Sequence, residues 1–363
     1  MQSEADQDKR KIHDEAAPSA STLSTDFPLR TRLIGAGAMQ ENMRDRSRCV
    51  DVLIAVFNNA NTVERAVRSA LSNAHVNCVI VVDDGSIDDT PSVVRSLKDE
   101  TGERLVFLRL GRNEGPSVAR NRGLELSDAP WIAILDGDDY FLPNRFAAML
   151  DACEGADFIA DDQVQVKEEN ADDAVPCGEC LIGHQAIITL DLATFVARNL
   201  SNRKRQRKEF GFLKPIMRRS FLNLHQLRYD ERLRLGEDFI LYAKALAAGA
   251  VFKVVPFRTY VSVVRSGSIS GSHSKRDLEQ LRDSSKDLAR LPRLAIPERK
   301  LIREHSDSID ARVRWLDVID AVKMRSVTAF VPPFFVRWTT FVFLLGQLWE
   351  QVVLRSRKTL GFS

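Results

Sequence analysis

Three carboxylates fall within four residues at Asp136, Asp138 and Asp139, with Gly137 among them, directly behind the apolar run "WIAIL". Charges this close repel one another unless a cation, a ligand or strong hydrogen bonds offset the repulsion. A solvated turn would account for Gly137 and one Asp. It accounts poorly for three acids behind a strand in which every position reads as buried. A second acidic pair, Asp83 and Asp84, ends the run "VNCVIVV". A third, Glu237 and Asp238, opens the amphipathic stretch "GEDFILYAKALAAGA". Acids at strand ends are hard oxygen donors of the kind that hold a divalent cation. Each pair also has a structural alternative. Asp83 and Asp84 can cap the helix that follows, and two acids in a first helical turn are favourable partners of the helix dipole.

The elements that would position these acids are legible from periodicity. "VDVLIAVF" (50–57), "VNCVIVV" (76–82), "LVFLRLG" (105–111) and "WIAIL" (131–135) are near-continuous apolar runs, the pattern of strands buried on both faces of a parallel sheet. Between them Val63, Ala66, Val67, Ala70 and Leu71 recur at helical spacing, behind Asn61 or Thr62 as cap. Further helices are predicted from about Thr90 to Lys98 and over "SVARNRGLELS". Strand–helix alternation over 50–136 predicts an α/β sheet with right-handed crossovers. Such sheets bind ligands outside the carboxyl ends of their strands, where Asn58, Asp83, Asp84, Asp136, Asp138 and Asp139 all fall. After "ADFIADD" the pattern becomes irregular. Helical spacing returns from "FGFLKPIMRRSFL", "VFKVVP" and "RTYVSVV" are two predicted strands, and 277–323 reads as charged helices.

Composition narrows the function classes. A chain of 363 residues, 44% hydrophobic, supports a sizeable core, and a net charge of +2 demands no nucleic-acid partner. Five scattered cysteines argue for a reducing compartment; Cys177 and Cys180 form a CxxC without a second pair or a nearby His. The polar start carries no secretory signal pattern, and residues 1–48 read as a flexible tail. Within it "GAGAMQ" opens like a dinucleotide fingerprint, but Gln40 stands in the third glycine's place and no strand precedes it. Residues 327–348 are strongly apolar, yet Arg337, Pro332 and Pro333 interrupt them. That favours a helix lying on a membrane surface, with Arg355, Arg357 and Lys358 toward anionic headgroups, over a docked core helix or a true span.

With the first strand, "VDDGS", "NEGPSVARNRG", "LDGDD" and "GED" in this order, residues 49–270 resemble the family 2 glycosyltransferases of GT-A fold, and among them the bacterial exopolysaccharide and succinoglycan glucosyltransferases. The resemblance implies a GT-A, Rossmann-like α/β mixed sheet over 49–275. A helical C-terminal extension (276–326) and the membrane-associating segment (327–363) would follow it. It implies a metal-dependent, inverting transfer of one hexose, glucose from UDP-glucose, onto a lipid-linked oligosaccharide. Asp136 and Asp138 match the DxD motif, with Mg²⁺ or Mn²⁺ as cofactor, Asp138 as direct ligand and Asp139 behind it. Asp83 matches the position that accepts a hydrogen bond from uracil, with Asp84 beside it and Phe57 lining the base pocket. Arg120 would reach the nucleotide from the third helix, or else form a surface salt bridge. Asp238 matches the catalytic base, and Glu237 would orient it or contact the acceptor.

Arg265, Ser268, Ser270 and His273 lie in a loop that would close over the diphosphate, or else serve as an ordinary linker. The basic run "RKRQRK" (203–208) would meet acceptor diphosphate or headgroups. No QxxRW motif stands in the expected place, which favours addition of a single sugar. The expected location is cytoplasmic, peripheral on the inner face of the cell membrane, with other polysaccharide-assembly proteins as further partners. The competing reading is a non-catalytic, nucleotide-sugar-sensing scaffold of an assembly complex.

Overall fold

The computed structural model describes residues 46–152, 154–171, 178–183, 186–200, 209–264, 274–335 and 338–359. Arg265, Ser268, Ser270, His273, Cys177, Arg337, the 203–208 basic run and residues 1–45 lie outside them. The four predicted parallel strands are present as β1 (Val50–Val56), β2 (Val76–Asp83), β3 (Leu105–Arg109) and β4 (Trp131–Asp136). They are joined by the helices Val63–Leu71, Thr90–Thr101 and Pro116–Leu126. β1 pairs in parallel with both β2 and β4, and β2 with β3.

The sheet continues through β5 (Tyr140–Phe141), β6 (Phe158–Lys167), β7 (Glu179–Cys180), β8 (Ile188–Leu190), β9 (Ile216–Arg218) and β10 (Phe252–Val264). Its main path runs β3-β2-β1-β4-β9-β6-β10-β5. β9 is antiparallel to both β4 and β6, so the sheet is mixed.

Three expectations are corrected here. The segment read as helical over 210–222 supplies β9, because Ile216 and Met217 fill the gap between β4 and β6 and only Arg219–Leu224 is helical. The two strands predicted over 251–264 are one strand. Pro256, which has no N–H to give the ladder, falls where the pairing with β6 slips between Val255 and Arg258. The region read as irregular after residue 162 carries β6 on to Lys167.

Period-two alternation sends side chains to two cores. Val52, Ile54, Val79, Val81, Ala133 and Leu135 pack against Val63, Val67, Val94 and Phe146 on one face. Leu53, Ile80, Val82, Ile132 and Ile134 share the other with Phe195, Phe239 and Tyr242. That second core runs on without a break into the helices Lys275–Leu288 and Ile296–Lys323, through Leu278, Leu281, Leu288, Ile302 and Ile309. The C-terminal helix Trp338–Thr359 buries Leu344 but leaves Leu345 and Trp349 exposed. Among the described residues no helix is long and apolar enough to cross a membrane.

Candidate active site

Sharp turns bring the strand ends together. At the end of β1, Asn58 takes a left-handed φ of 55°, and its side chain accepts from Ile87 N at 3.0 Å beyond β2. At the end of β4, a Cβ on Gly137 would stand 2.8 Å from Val56 Cγ1, so only glycine lets this turn pack on β1. The Gly137 carbonyl accepts from Thr62 Oγ1 at 2.8 Å, and the Asp138 carbonyl from Arg65 Nη2 at 3.1 Å.

From this turn Asp136 and Asp138 line a cavity of about 190 Å³ together with Asp139, Gln163, Gln165, Phe212 and Lys214. Two of these lining residues, Asp136 and Lys214, belong to a compact ion cluster that extends behind the cavity wall. Arg120 donates to Asp136 Oδ1 at 2.8 Å and to Glu237 Oε1 at 2.5 Å, with Asp238 Oδ1 at 3.4 Å. Lys214 Nζ lies 2.8 Å from Asp136 Oδ2 and donates to Asp238 Oδ2 at 2.7 Å. Three acids therefore share two cations, and Asp136 and Asp238, from elements 102 residues apart by number (238 − 136), are bridged by both. Burial pushes the Asp136 carboxyl up, but Lys214 and then Arg120 outweigh it and hold it at about 2. Burial lowers the Lys214 ammonium, and Asp136 and Asp238 more than reverse that, so it stays charged.

Each member is placed by identifiable supports. Arg120 sits on the Pro116–Leu126 helix, whose N-terminus is fixed by Asp84: its two carboxylate oxygens accept from Glu114 N at 2.7 Å and Gly115 N at 2.8 Å. Asp84 thus anchors the helix carrying Arg120, and not the Thr90–Thr101 helix that follows it in sequence, which the capping alternative named. Its carboxyl is raised by burial, against the pull of those amides. Asp83 is wholly buried; Oδ1 accepts from Ser86 N at 2.9 Å, while Oδ2 makes no hydrogen bond and has Arg109 Nε 3.2 Å away. Phe57 is half-buried at the end of β1.

Asp139 is buried and accepts from Tyr260 Oη at 2.7 Å and Val263 N at 2.8 Å, tying the turn to β10. Burial, reinforced by Asp138 and Asp136, lifts its carboxyl well above the usual range.

Glu237 and Asp238 open the Glu237–Ala247 helix, after Gly236 at φ 70°. Helix-dipole partners they are, but their side chains also reach Arg120, which the bare pattern could not reveal. Two residues that build the candidate site escaped the sequence reading. One is Lys214, whose signal was a lone cation amid apolar neighbours in "FLKPIM". The other is Arg145, which donates to Asp161 Oδ1 at 2.6 Å and to the Lys214 carbonyl at 2.7 Å from full burial.

Mg²⁺ or Mn²⁺ calls for hard oxygen donors. Among the described residues no group of three or more His, Cys, Asp or Glu side chains is placed to hold a metal ion alone. The cavity offers carboxylate and amide oxygens of the kind a hard cation takes, with no His or Cys in its lining but with Lys214 among them, and Mg²⁺ sites commonly combine one or two carboxylates with substrate phosphates. Asp136 is engaged by two protein cations on both oxygens. Asp138 lines the same cavity. Cys180 is a free thiol.

A mixed sheet with acids at its strand ends and helices on both faces is the GT-A glycosyltransferase fold. It matches S. aureus TarS 1-349 in complex with UDP-GlcNAc at a TM-score of 0.54 and 18% identity, over 82% of this chain and 80% of that one. Residues 51–209 match the glycosyl transferase family 2 domain, and the chain belongs to that family. It is 41% identical over 271 residues to the succinoglycan biosynthesis protein ExoU of Rhizobium meliloti, covering 75% of this chain and 78% of ExoU. It is 39% identical over 223 residues to the succinoglycan biosynthesis protein ExoO of the same organism, covering 61% of this chain and 62% of ExoO.

Proposed function

We propose that this glycosyltransferase moves one hexose from a UDP-sugar, with UDP-glucose the first donor to try, onto a lipid-linked oligosaccharide in exopolysaccharide synthesis, with inversion at the anomeric carbon. The observation that carries this reading is the ion cluster, in which Asp136 at the donor end of the sheet and Asp238 share Arg120 and Lys214 beside one cavity. Asp238 takes the proton of the acceptor hydroxyl as its oxygen bonds to the anomeric carbon, and the bond from that carbon to the diphosphate breaks, releasing UDP. Glu237 holds Arg120 in register with the base. Arg120 and Lys214 set positive charge beside the oxygens that become more negative as the diphosphate departs. Asp138 would hold Mg²⁺ or Mn²⁺, whose chemistry there is to neutralise the diphosphate. Asp83 Oδ2, lacking a hydrogen bond, is the acceptor for the uracil N–H once Arg109 turns aside.

A lipid-linked acceptor fits the surface around the C-terminal helix. Val327, Phe335, Val342, Leu345 and Trp349 are exposed there, the apolar side of a segment lying on a membrane face with the basic flank 355–358. The reading is tested by incubating the purified protein with UDP-glucose and extracted lipid-linked intermediates. Transfer of a single sugar supports it. UDP binding without transfer or hydrolysis under any metal condition would favour the sensing scaffold.

A further inference from the structure

Lys214 occupies a position that the reaction as proposed cannot leave undisturbed. Its ammonium lines the cavity and bonds two carboxylates at nearly equal distance, Asp136 at 2.8 Å and Asp238 at 2.7 Å. With Lys214 in place, Asp238 Oδ2 is occupied and Oδ1 has Arg120 at 3.4 Å, so the carboxylate that should accept a proton spends its better lone pair on a cation. Three carboxylates against two cations leave the cluster with one excess negative charge, and a diphosphate entering the cavity adds more. The lysine is the more mobile of the two cations by chemistry: an ammonium on a four-carbon stem, against a guanidinium fixed by bonds to Asp136 and Glu237.

Resting on the reading above, we propose that the donor diphosphate draws Lys214 away from Asp238, so that the base is uncovered for the acceptor only when a nucleoside diphosphate is in the cavity. Asp136 keeps Arg120 in the exchanged state, and Asp238 keeps only its long contact to Arg120. The backbone of Lys214 need not move, since its carbonyl is pinned by Arg145, itself locked to Asp161 in full burial. Only the side chain turns. The device makes donor binding a precondition for an active base.

The competition has an outcome that a purely structural ion pair would not give. Removing the charge of Asp238 frees Lys214 in advance, so UDP should bind more tightly to the Asp238→Asn protein than to the wild type. Calorimetric titration with UDP in the presence of Mg²⁺ should show about a tenfold gain, the low end of coupling for close charge pairs. General relief of negative charge would also tighten binding, and two comparisons separate it. Glu237→Gln removes an equal charge that Arg120, not Lys214, neutralises, so it should tighten UDP binding much less. In a Lys214→Gln background the further change Asp238→Asn should leave UDP affinity within about twofold, since the exchanging cation is gone. The Lys214→Gln, Asp238→Asn double variant keeps the wild-type net charge of the cluster.

Unchanged or weaker UDP binding by Asp238→Asn overturns the inference, as does equal tightening by Glu237→Gln. A wild-type protein that binds no UDP at all overturns the donor reading itself, and the inference with it.

Discussion

Neutralising the proposed base, Asp238, should slow chemistry without weakening donor binding, because its interaction with the acceptor proton develops only as that proton moves. Asp238→Asn is expected to lower kcat by at least about a hundredfold in a transfer assay, the low end of general-base effects. A loss of UDP affinity instead would reassign Asp238 to donor binding. Asp138→Ala should abolish transfer with the fold intact by circular dichroism, and near wild-type turnover in Mn²⁺ or Mg²⁺ would remove Asp138 from metal binding. The acids themselves were legible, because strand ends and helix starts place them by local pattern alone. Their partners were not. Arg120 meets Glu237 across 117 residues of chain, and Lys214 meets Asp238 from a loop ahead of β9. A buried cation shows in a sequence only as a lysine in apolar company, and what pairs with it is decided by tertiary packing. Asp84 illustrates the converse. Its place beside Asp83 was legible, but not that its oxygens hold the amides that begin the Arg120 helix.

The helix that presents Glu237 and Asp238 is buttressed from behind. Gly236 takes φ 70°, and a Cβ there would come within 2.7 Å of Leu281 on the Lys275–Leu288 helix. Phe239, next to the base, stacks at 4.1 Å on His305 of the Ile296–Lys323 helix, and the His305 ring shares a hydrogen bond with Ser285 Oγ at 3.2 Å. Gly236→Ala therefore combines left-handed strain with a steric conflict. It should destabilise the protein by about 1–3 kcal/mol and lower kcat more than UDP affinity. A melting temperature and kcat equal to wild type would show that the contact is slack. Four of the strands and the helices between them followed directly from periodicity, because each is long and its pattern regular. β9 did not, since the three residues that follow "KP" carry too little pattern to separate strand from helix. The join of 251–264 into one strand was hidden by Pro256, an ordinary strand breaker accommodated here at a register slip.

For the whole molecule, acidity and the membrane surface give the broadest tests. Burial first and Arg312 second pull the His305 ring down to about 4, so the folded protein resists protonating it while the unfolded chain does not. The folded value is depressed; the stability this represents is intact above the unfolded value near 6.5 and is lost as pH falls toward 4. That loss is up to about 3 kcal/mol over this window. Chemical denaturation at pH 7 and pH 4.5 should show it, and His305→Phe should remove much of the difference. An unaltered pH dependence in the variant would place the acid sensitivity elsewhere. Deletion of residues 327–363 takes away the exposed Val327, Phe335 and Trp349. It should release the enzyme into the soluble fraction, with UDP-sugar hydrolysis largely retained and transfer to a lipid acceptor reduced. Alkaline carbonate should partly extract the full-length protein; resistance to it would argue against surface attachment.

The core shared between the sheet and the helices after residue 275 also sets an order of events during synthesis. Strands β1 to β4 lie within residues 50–136 and can pair as soon as that stretch leaves the ribosome. The helix bearing the base emerges next, but Leu281, Leu288, Ile302 and Ile309, which cover its apolar side, are made up to 71 residues after Asp238 (309 − 238). Until they arrive, Phe239 has Phe195 beside it but not His305, and the nascent chain presents an uncovered hydrophobic surface of the sort chaperones bind. A chain stopped early, at residue 275, would hold every acid named above but lack both helices that buttress the Glu237–Ala247 helix. The support of the candidate site is thus completed last, by residues outside its ion cluster.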